Sequence, residues 1–215
     1  MKVSMRLFFP LALSVTLIGC ATTKTDIRNE AKISQYDPAT MARVRLITEN
    51  TITGGYVSGQ TCATFFNSLR TKTHEEAGWQ AAHVDSPGLY PFRATDTQNS
   101  VIGMPASEAS KAINSSSRVF DEHVVLAGKP LIAQIYMGGS QMSCIPAPVT
   151  LIPEPGKNYE MEFQIIKFST FKAGCVLAVR ELSAQANATV ETPLKPQICA
   201  NTLFGWQTSN PMPSL

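Results

Sequence analysis

The sequence predicts a mainly β protein: a single antiparallel β-sandwich-like domain with one short helix and long loops. Three observations lead there. Apolar and polar residues alternate over "MARVRLIT" and "NYEMEFQI", the period of a strand with one dry face and one wet face. Proline and glycine punctuate the chain between such runs, as at Pro153-Glu154-Pro155-Gly156. Helical periodicity is scarce.

Each element follows from its own residues. "MARVRLIT" places Ala42, Val44 and Leu46 on one face and Arg43 and Arg45 on the other. Residues 67–103 are long and mixed and yield no assignable element, which marks a functional or poorly ordered excursion. "PASEASKAI", 105–113, opens on Pro and is rich in Ala, Glu and Lys, so it is the one helix expected. "EHVVLA" and "PLIAQIYM" flank Gly128-Lys129, read as a tight turn between strands. "APVTLIP" then runs into the Pro153–Gly156 turn, where Pro presets φ and Gly accepts φ > 0. In "NYEMEFQI", Tyr159, Met161, Phe163 and Ile165 form the dry face, and Asn158, Glu160, Glu162 and Gln164 the wet one. "CVLAVREL" follows the Lys172-Ala173-Gly174 turn as a further strand. Gly128-Lys129 and Gly156-Lys157 both lack the spacing and following helix of a phosphate loop, so both read as hairpin turns.

The chain opens with Lys2 and Arg6 and then an apolar run, "LFFPLALSVTLIG", that ends at Cys20. A charged start, a short apolar run and a small residue before the cut form a secretory signal. At ~1.5 Å per residue the run reaches only about 20 Å, short of the ~30 Å of a bilayer core. Leu17-Ile18-Gly19-Cys20 resembles the lipobox of bacterial lipoproteins, which implies cleavage after residue 19 and acylation of Cys20. Two or more acyl chains, at ~0.8 kcal/mol per buried CH₂, anchor stably where one does not. Ala21, in place of Asp, implies sorting to the outer membrane. The expected location is thus the outer membrane, lipid-anchored and facing the periplasm or cell surface, with the bilayer as partner through Cys20.

The expected organisation is a signal peptide over 1–19, a flexible tether over 20–35, a folded domain over 36–188 and a Pro-containing C-terminal tail over 189–215. The tether is small and polar ("ATTKTDIRNEAKISQ") and would span at most ~50 Å. Lys2 and Arg6 leave with the signal, so 18 basic against 16 acidic residues become 16 against 16. A neutral chain with no Lys/Arg cluster argues against nucleic acid as a partner.

Four cysteines remain besides Cys20: Cys62, Cys144, Cys175 and Cys199. An even number in an exported chain reads as two disulfides. Zinc is the competing reading, but no Cys-x-x-Cys pair or His at ligand spacing supports a metal. If 147–152, 158–166 and 175–182 form one meander, Cys144 and Cys175 stand two strand steps apart, about 9.6 Å, beyond the ~7 Å limit for bridged Cα atoms. The pairing expected is then Cys175–Cys199 and Cys62–Cys144.

Together "QYDPATMARVRL", "NSVIGMPASEASK", "LAGKPLIAQ", "PVTLIPEPGKNYEMEF" and "CVLAVREL" resemble, in this order, a group of uncharacterised proteobacterial outer-membrane lipoproteins. The Pro-Glu-x-Gly-Lys-x-Tyr-Glu turn is the most specific of these segments. "ITENTITGGYVSG" departs from the group's pattern, where an Asn-Gly turn ends the first strand. The resemblance implies an exported, β-rich lipoprotein and transfers no catalytic residue.

No catalytic constellation emerges from the residues. His74 and His83, beside Glu75 and Glu76, are nine apart rather than at His-Glu-x-x-His spacing, and both read as solvated. His123, beside Asp121 and Glu122, reads as strand edge. "GYVSGQ" and "GGSQMS" miss the Gly-x-Ser-x-Gly elbow. Glu160 and Glu162 read as a solvated strand face. The expectation is a non-enzymatic, membrane-anchored periplasmic lipoprotein that uses no cofactor and binds a protein or other envelope partner. The alternatives are a periplasmic hydrolase acting on an envelope substrate and a toxin-immunity lipoprotein.

Overall fold

The computed structural model describes residues 24–49, 51–83, 98–139, 143–169, 172–186 and 188–210. Its first half contains β1 (Thr25–Arg28), α1 (Glu30–Gln35), β2 (Met41–Thr48), β3 (Ile52–Ser58), α2 (Cys62–Ser68), β4 (Gln80–Ala81), β5 (Gln98–Val101) and α3 (Glu108–Lys111). A 3-10 turn over Ala112–Ser115 leads to β6 (Val119–Leu126), β7 (Leu131–Met137), β8 (Val149–Leu151), β9 (Asn158–Ser169) and β10 (Lys172–Gln185). The chain closes with β11 (Ala188–Leu194), β12 (Gln197–Thr202) and β13 (Gly205–Ser209).

These strands build two sheets, in the orders β1-β5-β6-β2-β9-β10-β11 and β13-β12-β8-β7-β3-β4. The first is partly parallel: β1 with β5, β5 with β6, and β2 with β9. Among the described residues three α-helices accompany the sheets. The fold is therefore mixed α/β, and the expected antiparallel β-sandwich-like domain with one helix is corrected on both counts. The cause is the crossover that carries β9 beside β2, which local alternation does not encode.

Strand parity does hold. Ala42, Val44 and Leu46 of β2, with Tyr159, Met161 and Phe163 of β9, meet Tyr56, Leu131, Ala133, Ile135 and Val149 of the second sheet in one buried core. Each of the larger aliphatic and Phe side chains among them contributes roughly 1.5–3 kcal/mol on burial. The outer face of the second sheet is roofed by α2, started by a capping box between Thr61 and Thr64. Beneath it Phe65 stacks on Trp79 at 5.5 Å, and Phe66 stacks on Trp206 at 3.9 Å.

The outer face of the first sheet is roofed as well. A strap over 102–107 and α3 cover it, leaving Glu160 at 0% exposure and Glu162 at 8%. The expected wet face of β9 is thus corrected: its carboxylates are buried against arginines rather than solvated. The helix expected over 105–113 is shorter, because Ser107 caps it and a 3-10 turn takes over at Ala112.

Both Gly-Lys turns are corners and not hairpins. The first links β6 to β7 and the second β8 to β9, each passing from one sheet to the other. Gly128 and Gly156 take φ of +68° and +75°, a region open to glycine. The corners also bind each other, Gly128 N donating to the Pro153 carbonyl at 2.8 Å.

The expected tether ends early. Residues 25–28 pair with β5, and Asn29 caps α1 by accepting from Lys32 N at 3.0 Å. Residues 1–23 lie outside the described residues. The expected irregular tail is instead three strands, β11 to β13. Of its prolines, Pro193 and Pro196 sit where strands tolerate them, the first on an edge strand and the second in the break before β12.

The disulfides are Cys62–Cys199, with Cα atoms 5.4 Å apart, and Cys144–Cys175, at 6.2 Å. Four paired cysteines are as expected; the pairing is corrected. β8 and β9 belong to different sheets, so the assumed meander does not exist. Cys144, bridged to Met137 at the end of β7, therefore meets Cys175 across the gap between sheets. On the chain-entropy model the closed loops contribute about 5 and about 4 kcal/mol. Peptide mapping without reductant should recover Cys62–Cys199 and Cys144–Cys175 fragments; recovery of Cys175–Cys199 would contradict this fold.

Candidate functional site

Two polar clusters lie on opposite faces of the first sheet, divided by β6. Phe120 and Glu122 point to the outer face, and Asp121 and His123 to the inner one. Opposite facing of neighbours follows from the period-2 geometry of a strand.

On the outer face, the buried Arg45 donates to Glu122 Oε1 from Nη2 at 2.6 Å and from Nε at 3.1 Å. Its Nη1 donates to Glu160 Oε2 at 3.0 Å. Glu122 Oε2 then accepts three successive backbone N–H groups, from Ile102, Gly103 and Met104, at 2.6, 3.0 and 3.2 Å. The Ser107 hydroxyl donates to Glu160 at 2.5 Å. Arg118 and Arg180 both pair with Glu162, and Arg180 reaches Glu191 at 3.1 Å. Burial raises the Glu162 carboxyl, but the two guanidiniums outweigh it and hold that carboxyl below its usual range. A hollow of about 390 Å³ beside this network is floored by Phe120, Ile113, Val101 and Met104. Its ionic groups are committed to one another, so this face reads as structural.

The inner face differs. A cleft of about 280 Å³ opens where the second sheet stops after β4 and β5 and β1 continue the first. Ile27, Asn29, Lys32, His83, Gln98, Ser100 and Asp121 are among its lining residues. Lys32 Nζ lies 3.0 Å from His123 Nδ1. An ammonium only donates, so Nδ1 accepts and the ring proton sits on Nε2, which donates to the Ala82 carbonyl at 3.2 Å. His83 Nδ1 stands 3.0 Å from Asp121 Oδ2, while Asp121 Oδ1 accepts from Ser100 N at 2.9 Å.

Burial lowers the pKa of His123 to about 4, with the Lys32 charge acting in the same direction, so the ring is neutral. Burial likewise lowers Lys32, partly offset by Asp121. Burial raises Asp121, yet its bonds to His83 and Ser100 carry it below the ordinary carboxylate value. The cleft thus offers an ammonium, amides and a hydroxyl to a small polar ligand. In the His83–Asp121 pair a carboxylate fixes the orientation of an imidazole, the geometry that a general base requires.

Several expected site residues move. His83 and His123 are corrected from solvated and strand-edge positions to a half-buried ring hydrogen-bonded to Asp121 and a buried core ring. His74 remains exposed. Ser58 Oγ accepts from Leu126 N at 3.2 Å, a strand-end contact. Cys20 lies outside the described residues. Lys32 went unselected by sequence, and His123 beside Asp121 was read as strand edge; the available signal was Asp121 and His123 sharing a parity with Val119 and Val125, an apolar face. Among the described residues no group of three or more His, Cys, Asp or Glu side chains is arranged to hold a metal ion.

No protein-family model, curated protein or solved structure matches the chain. Among the described residues no helix is long and apolar enough to cross a membrane.

Acid should unfold the protein through this cluster. Between the ordinary His value of 6.5 and about 4, the unfolded chain binds a proton that His123 in the folded state does not. Stability therefore falls as pH drops through that window, by roughly 3 kcal/mol. Asp121, depressed in the fold, adds a further loss as pH falls from about 3.8 through its lower folded value. Urea midpoints measured from pH 7 to 4 should fall steeply in the parent and flatten in His123→Gln.

Removing Arg45 tests the opposite face. Arg45→Met strands two buried carboxylates and should cost roughly 3–5 kcal/mol, read as a lowered urea midpoint at pH 7. Arg28→Met, at the exposed Arg28–Glu30 pair, should change stability by less than about 1 kcal/mol.

Proposed function

We propose that this protein is an acyl-anchored lipoprotein of the bacterial outer membrane, facing the periplasm or cell surface, and that its folded domain is a non-enzymatic binding module for an envelope partner. One observation carries the reading. Of five cysteines, four are paired in disulfides, and the fifth, Cys20, closes the Leu17-Ile18-Gly19-Cys20 motif five residues before β1. Disulfides between layers fit an oxidising compartment. The polar cleft at Lys32 and His83 supports binding of a small polar group presented by that partner. The His83–Asp121 pair favours, as a second reading, an envelope hydrolase; turnover of peptidoglycan that disappears in folded His83→Ala would establish it over the first.

The anchor is tested in cells fed labelled palmitate. The parent chain should take up label and migrate as the shorter, cleaved form. Cys20→Ala should lose the label and accumulate as precursor. Label that persists in Cys20→Ala sinks the proposal.

A further inference from the structure

Strand register shows which end of the molecule each exposed apolar residue occupies. Thr25 is level with Gln98, and Ser100 with Asp121, so Gln98 is level with Val119. Val119 pairs with Thr48, and Ile47 with Glu162, which brings Thr48 level with Phe163. The N-terminus of β1 and the far part of β9 therefore leave the same end of the first sheet.

β9 does not stop there. It runs on to Ser169, six residues past Phe163, and β10 returns beside it. At ~3.3 Å per residue this arm extends about 20 Å beyond the end of β2. Ile165 is 50% exposed on one face, and Ile166 and Phe168 are 37% and 48% exposed on the other. The exposed Lys167 stands between them. The Cys144–Cys175 disulfide sits at the arm's root, because Cys175 pairs in register with Ile165.

The second sheet presents a similar tip at the same end. β12 is antiparallel to β8, which heads for the Gly156 corner, and Gly156 N donates to the carbonyl of Met41 at the start of β2. β12 thus runs toward the Thr48 end, and its turn to β13 carries Leu203 and Phe204, 101% and 88% exposed. Ile145, beside the Cys144–Met137 bridge, shares that end and is 65% exposed.

We propose that this end of the molecule is a bilayer-docking face, the β9–β10 arm and the β12–β13 tip entering the interface of the membrane that Cys20 anchors. It rests on the acyl-anchor reading for which membrane is met, and on register alone for the face. Cys20 is five residues from Thr25, so it is held within ~17 Å of the end of the sheet. Sheet twist turns the arm relative to β1, but both project from one end. An arm apolar on both faces has no core side to offer a protein groove, whereas a bilayer interface wets both. Apolar side chains seat about 5–10 Å deep in that interface, and Lys167 can snorkel to anionic headgroups.

The test uses the full mature chain in vesicles of phosphatidylethanolamine and phosphatidylglycerol, with and without brominated acyl chains. Phe168→Trp and Phe204→Trp place a fluorophore on the arm and on the tip, read against the parent carrying Trp79 and Trp206. Ile165→Trp, on the arm's other face, replaces Phe168→Trp if that variant fails to fold. Both sites should shift to the blue and lose emission to brominated lipid. Emission at either site that stays unshifted and unquenched overturns the docking face. A labelled, anchored chain with unquenched probes defeats this inference and leaves the anchor standing. Quenched probes on a chain that takes up no palmitate do the reverse.

Discussion

The Arg45 guanidinium, buried between Glu122 and Glu160, is the interaction on which the arrangement of the first sheet depends. It joins the three central strands β6, β2 and β9, one charge from each. A guanidinium removed from water is tolerable only when its donors are met, and here two carboxylates and the Met104 carbonyl at 3.4 Å meet them. The carboxylates are met in turn. Glu122 gathers the strap by three consecutive backbone N–H groups, and Glu160 takes the hydroxyl of the residue that caps α3. The roof over the sheet, and the start of its helix, are thereby written into the charges beneath it.

The second constraint is the pair of corners at Gly128 and Gly156. Each reverses the chain between sheets and not within one, so strands adjacent in sequence become opposite in space. The shared core between the sheets and the reach of Cys144 to Cys175 both follow from that crossing. So does the cleft: the second sheet ends at the two-residue β4, while β5 and β1 carry the first sheet past it. The open step leaves Lys32 and His83 part-exposed at its lip, with Asp121 and His123 buried behind them.

The molecule is polarised along its strands. Its corners lie at one end; the N-terminus, the long arm and the Leu203-Phe204 tip lie at the other. The cleft opens at the β1–β5 edge, beside the chain's departure toward Cys20.

Much was legible in the residues. Alternation located β2, β9 and β10 and assigned Ala42, Val44, Leu46 and Met161 to the core, because side-chain direction in a strand depends on sequence parity alone. Sheet membership was not legible: strand pairing is settled by which partners bury both faces together, and that placed β8 and β9 in different sheets and reversed the disulfide expectation. Nor was burial of charge. Glu160 and Arg45 carry the same local pattern whether the face above them is water or a strap, and only the strap's return over the sheet decided it. By itself the sequence determined the faces of the strands and the pairing of four cysteines without their partners. The tertiary structure alone decided which strands meet, because hydrogen-bond partners and burial are set by long-range packing that no local period records.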